Sequence, residues 1–103
     1  MAQQLQTISK HKLWVLVSIM KKNATDYDLN RIAPSVSELI DSWHAKGMFV
    51  WSGPFDDNKT GMAVFQGTKE EANEFYEQNK KATSDVLESY MYQWGALPFL
   101  SAL

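Results

Sequence analysis

Residues 12–20 predict the first β-strand, because their side chains fall into two sets with the two-residue period of extended backbone. One set contains Val15, Val17 and Ile19, and the other contains Trp14, Leu16, Ser18 and Met20. Since both sets are largely apolar, the strand should lie at the centre of a sheet with both faces shielded from water. We expect Leu16, Ser18 and Met20 to contribute to the sheet face that helices leave bare.

The first helix is predicted over residues 34–46. Thr25 and Asp28 are spaced as a capping box that starts a helical turn, but Pro34 disfavours helical geometry in the residue before it. We therefore expect a short turn before Pro34 and the main helix from Pro34 onward. Its apolar stripe consists of Val36, Leu39, Ile40 and Trp43. Gly47 should end the helix as its C′ residue.

The second helix has the clearest start in the chain. Thr68 can cap it while Glu71 bonds back to the backbone of Thr68. The predicted inner face contains Ala72, Phe75, Tyr76 and Asn79. Lys80 and Lys81 fall near the negative end of the helix, where cations are favoured.

Three further strands are predicted at residues 48–52, 61–66 and 86–94, and the first two should form a hairpin. The order strand, helix, strand, strand, helix, strand indicates an α+β domain with a ferredoxin-like βαββαβ fold and a four-stranded antiparallel sheet. Both helices should cover the same face of that sheet. The other face is too apolar for open water, so we expect a second copy to cover it in a homodimer.

Composition restricts the class of protein further. The 103-residue chain is 45% hydrophobic and fits a single domain, expected at residues 12–103 after a flexible leader at residues 1–11. A net charge of −2 offers no general attraction for nucleic acid or anionic membranes. No apolar run is long enough to span a bilayer and no signal peptide is recognisable, so we expect a cytoplasmic protein. The absence of cysteine excludes disulfides, thiolate nucleophiles and thiolate metal sites.

Several short motifs together resemble the YciI-like (YCII-related) family over about residues 12–99. These motifs are Gly47, the run Gly53-Pro54-Phe55-Asp56-Asp57, Gly61, the run Glu70-Glu71-Ala72 and the closing run Tyr90-Met91-Tyr92-Gln93-Trp94. The resemblance implies a dimeric α/β barrel, the superfamily that also contains muconolactone isomerases and antibiotic-biosynthesis monooxygenases. It also implies a small-molecule pocket between the sheet and its surroundings.

The family's candidate catalytic histidine lies early in the first helix, and the resemblance aligns that position with Val36. Valine cannot transfer a proton. The Asp-Pro pair that the family carries after its second helix aligns with Asn79-Lys80. The resemblance therefore implies the fold more strongly than any reaction, as in a divergent or non-catalytic member.

Three polar residues are candidates for catalysis. His44, in the last turn of the first helix, could transfer a proton, with Asp56 or Asp57 to orient it. The structural alternatives are that His44 interacts with the helix dipole and that the two aspartates lie in an exposed turn. No metal-ligand spacing or nucleotide-binding motif occurs, so we expect a site that uses neither a metal ion nor another cofactor.

We expect a small-molecule pocket in the cleft between the sheet and the first helix. The residues predicted to line it are Trp14, Ser18, Val36, Trp51 and Tyr92. Aromatic residues in such positions, Tyr90 and Trp94 included, could equally pack the sheet or a dimer interface. An enzyme and a non-catalytic ligand-binding or structural homodimer thus stay open as alternatives. An RNA-recognition motif has the same element order, but residues 61–65 lack its stacking aromatic and basic side chains.

Overall fold

A computed structural model describes residues 12–95 of the chain, with the backbone alone at positions 49 and 50. The elements are β1 (Lys12–Met20), α1 (Asp26–Ala45), β2 (Phe49–Pro54), β3 (Thr60–Gly67), α2 (Lys69–Thr83) and β4 (Leu87–Trp94). This order confirms the predicted α+β class and the ferredoxin-like arrangement. The leader expected at residues 1–11 and residues 96–103 lie outside the described part of the chain.

The four strands form one antiparallel sheet in the order β2-β3-β1-β4. β1 pairs with β3 on one side, with Leu16 opposite Ala63, and with β4 on the other, with Leu16 opposite Met91. The prediction that β1 is a central strand is therefore confirmed. The hairpin of β2 and β3 is confirmed as well, with Gly53 opposite Met62.

Both helices cover the face of the sheet that carries Trp14 and Leu16. These two residues lie in one buried cluster with residues of β3, α1 and α2, namely Ala63, Phe65, Trp43, Ala72 and Phe75. The expectation that Leu16, Ser18 and Met20 contribute to the bare face was wrong, because the alternation turns them toward the helices. The bare face instead carries Val15, Val17 and Ile19. Trp14 belongs to the set of side chains that faces the helices. Its buried indole N–H donates to the carbonyl oxygen of Gly67 at 3.0 Å.

Helix α1 is continuous across Pro34, so the predicted break before that residue was wrong. The predicted capping box is present: Thr25 N–H donates to Asp28 Oδ2 at 3.0 Å, and Asp28 N–H donates to Thr25 Oγ1 at 3.3 Å. This cap starts the helix early enough for it to run on through the proline. Pro34 is exposed and removes one helical donor, the partner of the Asn30 carbonyl, which is a tolerable loss in a long helix.

The C-terminal end of α1 is a Schellman motif built on Gly47, as predicted. Gly47 has a φ of +76°, a conformation that glycine adopts without the steric cost of a Cβ. Its N–H donates to the His44 carbonyl at 2.9 Å, and the Met48 N–H donates to the Trp43 carbonyl at 3.2 Å. The motif turns the chain directly into β2.

The N-terminal end of α2 also follows its prediction. Thr68 N–H donates to Glu71 Oε1 at 2.8 Å and Glu71 N–H donates to Thr68 Oγ1 at 3.2 Å, which completes the capping box. At the other end, Thr83 Oγ1 donates to the Asn79 carbonyl at 2.8 Å. The inner face of α2 places Phe75 and Asn79 against the sheet, and both are buried.

Three aromatic rings form the centre of the core. Phe75 packs edge-to-face on Phe65 with ring centroids 5.2 Å apart, and on Trp43 with centroids 5.6 Å apart. The Trp43 indole N–H donates to Gln78 Oε1 at 2.8 Å. Since Trp43 lies near the end of α1, this cluster fastens the C-terminal end of α1 to both the sheet and α2.

Phe65→Ala should destabilise the domain by about 3–5 kcal/mol, because it removes a fully buried ring and leaves a cavity beside Phe75. The matched control is Phe55→Ala, at a phenylalanine that is 45% exposed, which should change stability by less than about 0.5 kcal/mol. Urea unfolding followed by circular dichroism measures both. Equal effects of the two substitutions would contradict the assignment of the core.

Candidate functional site

A cavity of about 720 Å³ lies between α1 and the helix-covered face of the sheet. It begins beside the aromatic cluster and extends beneath the N-terminal and middle turns of α1. Its apolar wall comprises Leu16, Leu29, Val36, Ile40, Ala63, Phe75 and Leu87. Residues of the β2–β3 hairpin, among them Gly53, Pro54 and Thr60, close one side.

The cavity follows from the sizes of the residues that face it. Opposite the middle of α1, the sheet presents Ser18, Gly61 and Ala63, which are small. The helix presents Val36 and Ile40, which are too short to reach across. Trp43, one turn further along α1, is large enough to close the gap, and the layers are in contact there.

The base of the cavity carries a short hydrogen-bonded chain of polar side chains. Asn79 Nδ2 donates to Ser89 Oγ at 3.0 Å, and Ser89 Oγ lies 3.2 Å from Ser18 Oγ. Tyr76 donates its hydroxyl to the Ser89 carbonyl at 3.2 Å, which fixes β4 against α2. Asn79 and Ser18 both line the cavity.

The amide oxygen of Asn79 faces the cavity. The residue is 4% exposed, and its side chain makes one hydrogen bond within residues 12–95, through the amide nitrogen. Within the same residues, every fully enclosed side-chain nitrogen or oxygen has a partner. The oxygen, which has none, therefore opens onto the cavity and offers an acceptor to whatever fills it.

The charged residues of the cavity lie at its mouth. Asp26, in the first turn of α1, and Lys59, in the hairpin loop, line the rim together with Asn30 and Asn58. All four are exposed. The ionisable groups are thus hydrated, and the other polar residues of the lining are uncharged: Ser18, Asn79, Ser52 and Thr60.

An ion pair secures the first half of α1 above the cavity. Arg31 donates to Asp85 Oδ2 at 2.7 Å and lies 3.7 Å from Asp28. The hydrogen bond from Arg31 lowers the pKa of Asp85, and the same bond raises the pKa of Arg31. Since Asp85 lies between α2 and β4, the pair joins α1 to the far side of the cavity.

The five residues predicted to line a pocket lie in three different parts of the structure. Ser18 and Val36 line the cavity. Trp14 is buried in the core beside it, and its indole N–H is engaged by Gly67. Trp51 and Tyr92 are 77% and 56% exposed and lie on the bare face of the sheet. The aromatic residues therefore do not form the wall of one pocket.

None of the three candidate catalytic residues forms part of the cavity lining. His44 is exposed on the last turn of α1, and its carbonyl accepts from Gly47 in the Schellman motif. Asp56 is exposed in the hairpin loop. None of His44, Asp56 and Asp57 is among the residues that line the cavity.

Asp57 shapes the turn between β2 and β3. Its Oδ1 accepts from the backbone N–H groups of Lys59 and Thr60, both at 2.9 Å, and its Oδ2 accepts from the Thr60 hydroxyl at 2.7 Å. The backbone bond from Lys59, followed by those from Thr60, holds the pKa of Asp57 below its ordinary value. The carboxylate thus stabilises the loop in which Asn58 adopts a positive φ of 59°.

Sequence reasoning missed most of the cavity. Leu29 was expected in a short turn, and Ile40 and Phe75 were expected to pack a closed core. Asn79 carried a usable signal, because it is the polar member of an otherwise apolar helical stripe. A buried amide in such a stripe requires partners from the sheet.

No group of three histidine or acidic side chains within residues 12–95 is arranged to hold a metal ion. Neither of the two helices that the structure describes is long and apolar enough to cross a membrane. Comparison of the chain with protein-family models, curated proteins and solved structures finds no match in any of the three. The resemblance to the YciI-like family stays a prediction.

Asp57→Ala should lower the stability of the domain at neutral pH. Because the pKa of Asp57 is lowered by folding, its contribution is complete above the unfolded pKa of about 3.9 and is lost as the pH falls through the lower folded pKa. The urea midpoints of wild type and variant should therefore converge at acid pH. Asp56→Ala, at the exposed neighbour, should match wild type at neutral pH. A gap between wild type and Asp57→Ala that persists unchanged in acid would contradict this role.

Proposed function

We propose that the protein binds a small, largely apolar molecule in the cavity between α1 and the sheet, without a cofactor. The observation that carries this proposal is a half-open space of about 720 Å³ between α1 and the sheet, with an apolar wall and a polar base. Ligand pockets of roughly 300–1,000 Å³ with this distribution of polarity are typical of small-molecule sites. An apolar wall favours a ligand over water, because the contacts release poorly bound water.

The side chains around the cavity favour binding over catalysis. A general acid or base must come within hydrogen-bond reach of the reacting group. The interior offers hydroxyl groups and an amide, while Asp26 and Lys59 lie at the exposed rim. A reaction at His44, Asp56 or Asp57 would need a separate site. Non-catalytic ligand binding is therefore the version that we propose.

A homodimer formed through the bare face of the sheet is the second proposal. That face carries Val15, Val17 and Ile19 from β1, with Trp51, Tyr90, Tyr92 and Trp94 from the neighbouring strands. These four aromatic side chains are 43–77% exposed in the single chain. Covering so much apolar surface stabilises association. A two-fold dimer covers it with a second copy of the same chain. The YciI-like resemblance implies the same arrangement, a dimeric α/β barrel.

Val36→Trp should weaken ligand binding by about tenfold or more, because the indole would occupy the space beneath α1. Ligands would first be found by a thermal-shift screen of small aromatic and aliphatic compounds, and located by backbone amide shifts in NMR. Ser37→Trp places the same ring on the exposed side of α1 and should leave affinity within about twofold. The proposal is contradicted if bound compounds shift the amides of Val15 and Tyr92 but not those of Leu16 and Ile40.

Tyr92→Lys should convert a dimer into a monomer, because a charge on the bare face would be buried in the interface without a partner. Sedimentation velocity of the wild type should give a species of twice the chain mass of 11.8 kDa. The matched control is Tyr27→Lys, at a tyrosine that is 75% exposed on the first turn of α1. A wild-type protein that sediments as a monomer at high micromolar concentration would overturn the dimer proposal.

A further inference from the structure

At the polar base of the cavity, either hydroxyl can be the donor in the contact between Ser89 and Ser18. Ser89 Oγ accepts from Asn79 Nδ2, so its own proton is available for its other neighbour, Ser18 Oγ. When Ser89 donates to Ser18, the proton of Ser18 is left for another acceptor. Ser18 lines the cavity and Ser89 does not, so an acceptor on a ligand would meet the Ser18 hydroxyl. The Ser18 hydroxyl can therefore donate into the cavity that it lines.

The base of the cavity thus presents a donor and an acceptor close together. The donor is the Ser18 hydroxyl and the acceptor is the amide oxygen of Asn79, and both side chains bond to the same Ser89 hydroxyl. Leu16, Ala63 and Phe75 line the neighbouring surface and offer no polar side-chain atoms. A ligand that leaves the Asn79 oxygen without a donor forfeits a hydrogen bond at a buried position, which is costly.

On the basis of the proposed function, we propose that the ligand is an uncharged molecule with an apolar body and a head group that both donates and accepts a hydrogen bond. A primary carboxamide or a lactam has this pattern. Its N–H would donate to Asn79 Oδ1, and its carbonyl oxygen would accept from Ser18 Oγ.

The head group should be neutral because the base of the cavity carries no compensating charge. A carboxylate there would face the acceptor oxygen of Asn79, and Lys59 lies at the exposed rim. An ammonium group would find only neutral acceptors there, Asn79 Oδ1 and Ser18 Oγ, and no carboxylate. Burying either charge without a partner costs more than the hydrogen bonds return.

Four naphthalenes that carry different groups at the same ring position test this inference. Naphthamide donates and accepts, acetylnaphthalene only accepts, isopropylnaphthalene does neither, and naphthoate is charged. All four head groups are close in size. NMR titration of the wild-type chain should show affinity falling about fivefold or more from the amide to the ketone, and again from the ketone to the hydrocarbon. Naphthoate should bind more weakly than naphthamide.

Two variants assign the two hydrogen bonds separately. Asn79→Leu should abolish the preference for naphthamide over acetylnaphthalene, because the amide loses its acceptor and the ketone no longer leaves one unpaired. Ser18→Ala should reduce the affinity of acetylnaphthalene to that of isopropylnaphthalene. Asn73→Leu, on the exposed side of α2, is the control and should preserve the wild-type ranking. Should Asn79→Leu fail to fold, Ser18→Ala and the wild-type ranking still decide the question.

The outcomes separate the inference from the proposed function. Equal binding of amide, ketone and hydrocarbon, with shifts at Leu16 and Ile40, would overturn the donor and acceptor base and leave an apolar cavity. Tightest binding by naphthoate would overturn the neutral head group. If none of the four compounds shifts the resonances of the cavity residues, the proposed function fails together with the inference.

Discussion

The packing of Trp43 determines the arrangement of the rest of the domain. This side chain is 1% exposed, contacts the ring of Phe75 and donates to Gln78, so one contact joins α1, α2 and the sheet. The width of an indole sets the separation of the layers at that point. Toward the N-terminal end of α1, small residues on the sheet cannot fill the same separation, and the cavity is the result. In the other half of the helix, Ile32 is buried and Arg31 forms an exposed ion pair with Asp85.

The sequence was sufficient to predict the features that depend on neighbouring residues. The bounds of β1, both capping boxes and the Gly47 motif are local, because each is decided by side chains within a few positions of the backbone that they bond. Pro34 was misjudged because its local preference opposes a helix that tertiary contacts sustain. The burial of Ile32 ahead of it and of Trp43 after it holds both halves on one axis.

The site was harder to predict for a different physical reason. Alternation in β1 gives two largely apolar sets of side chains. Periodicity alone therefore cannot say which set faces the helices. The cavity depends on the sum of side-chain volumes from β1, β3 and α1, which lie far apart in sequence. Ser18 and Val36 were predicted as lining residues, while Asn79 was predicted only as part of the inner face of the second helix. Its partner Ser89 is brought beside it only by the docking of α2 against β4.

The aromatic cluster and most of the cavity wall consist of different residues, so the wall can diverge in sequence while the cluster is kept. The residues that hold the layers together, Trp43, Phe65 and Phe75, are gathered at one end, and Phe75 alone of these three also borders the cavity. Val36, Ile40 and Leu29 border it from a helix whose position is secured elsewhere. Substitutions among them can reshape the interior while the fold persists. The shape of the interior can therefore change in evolution by altering a few turns of a single helix.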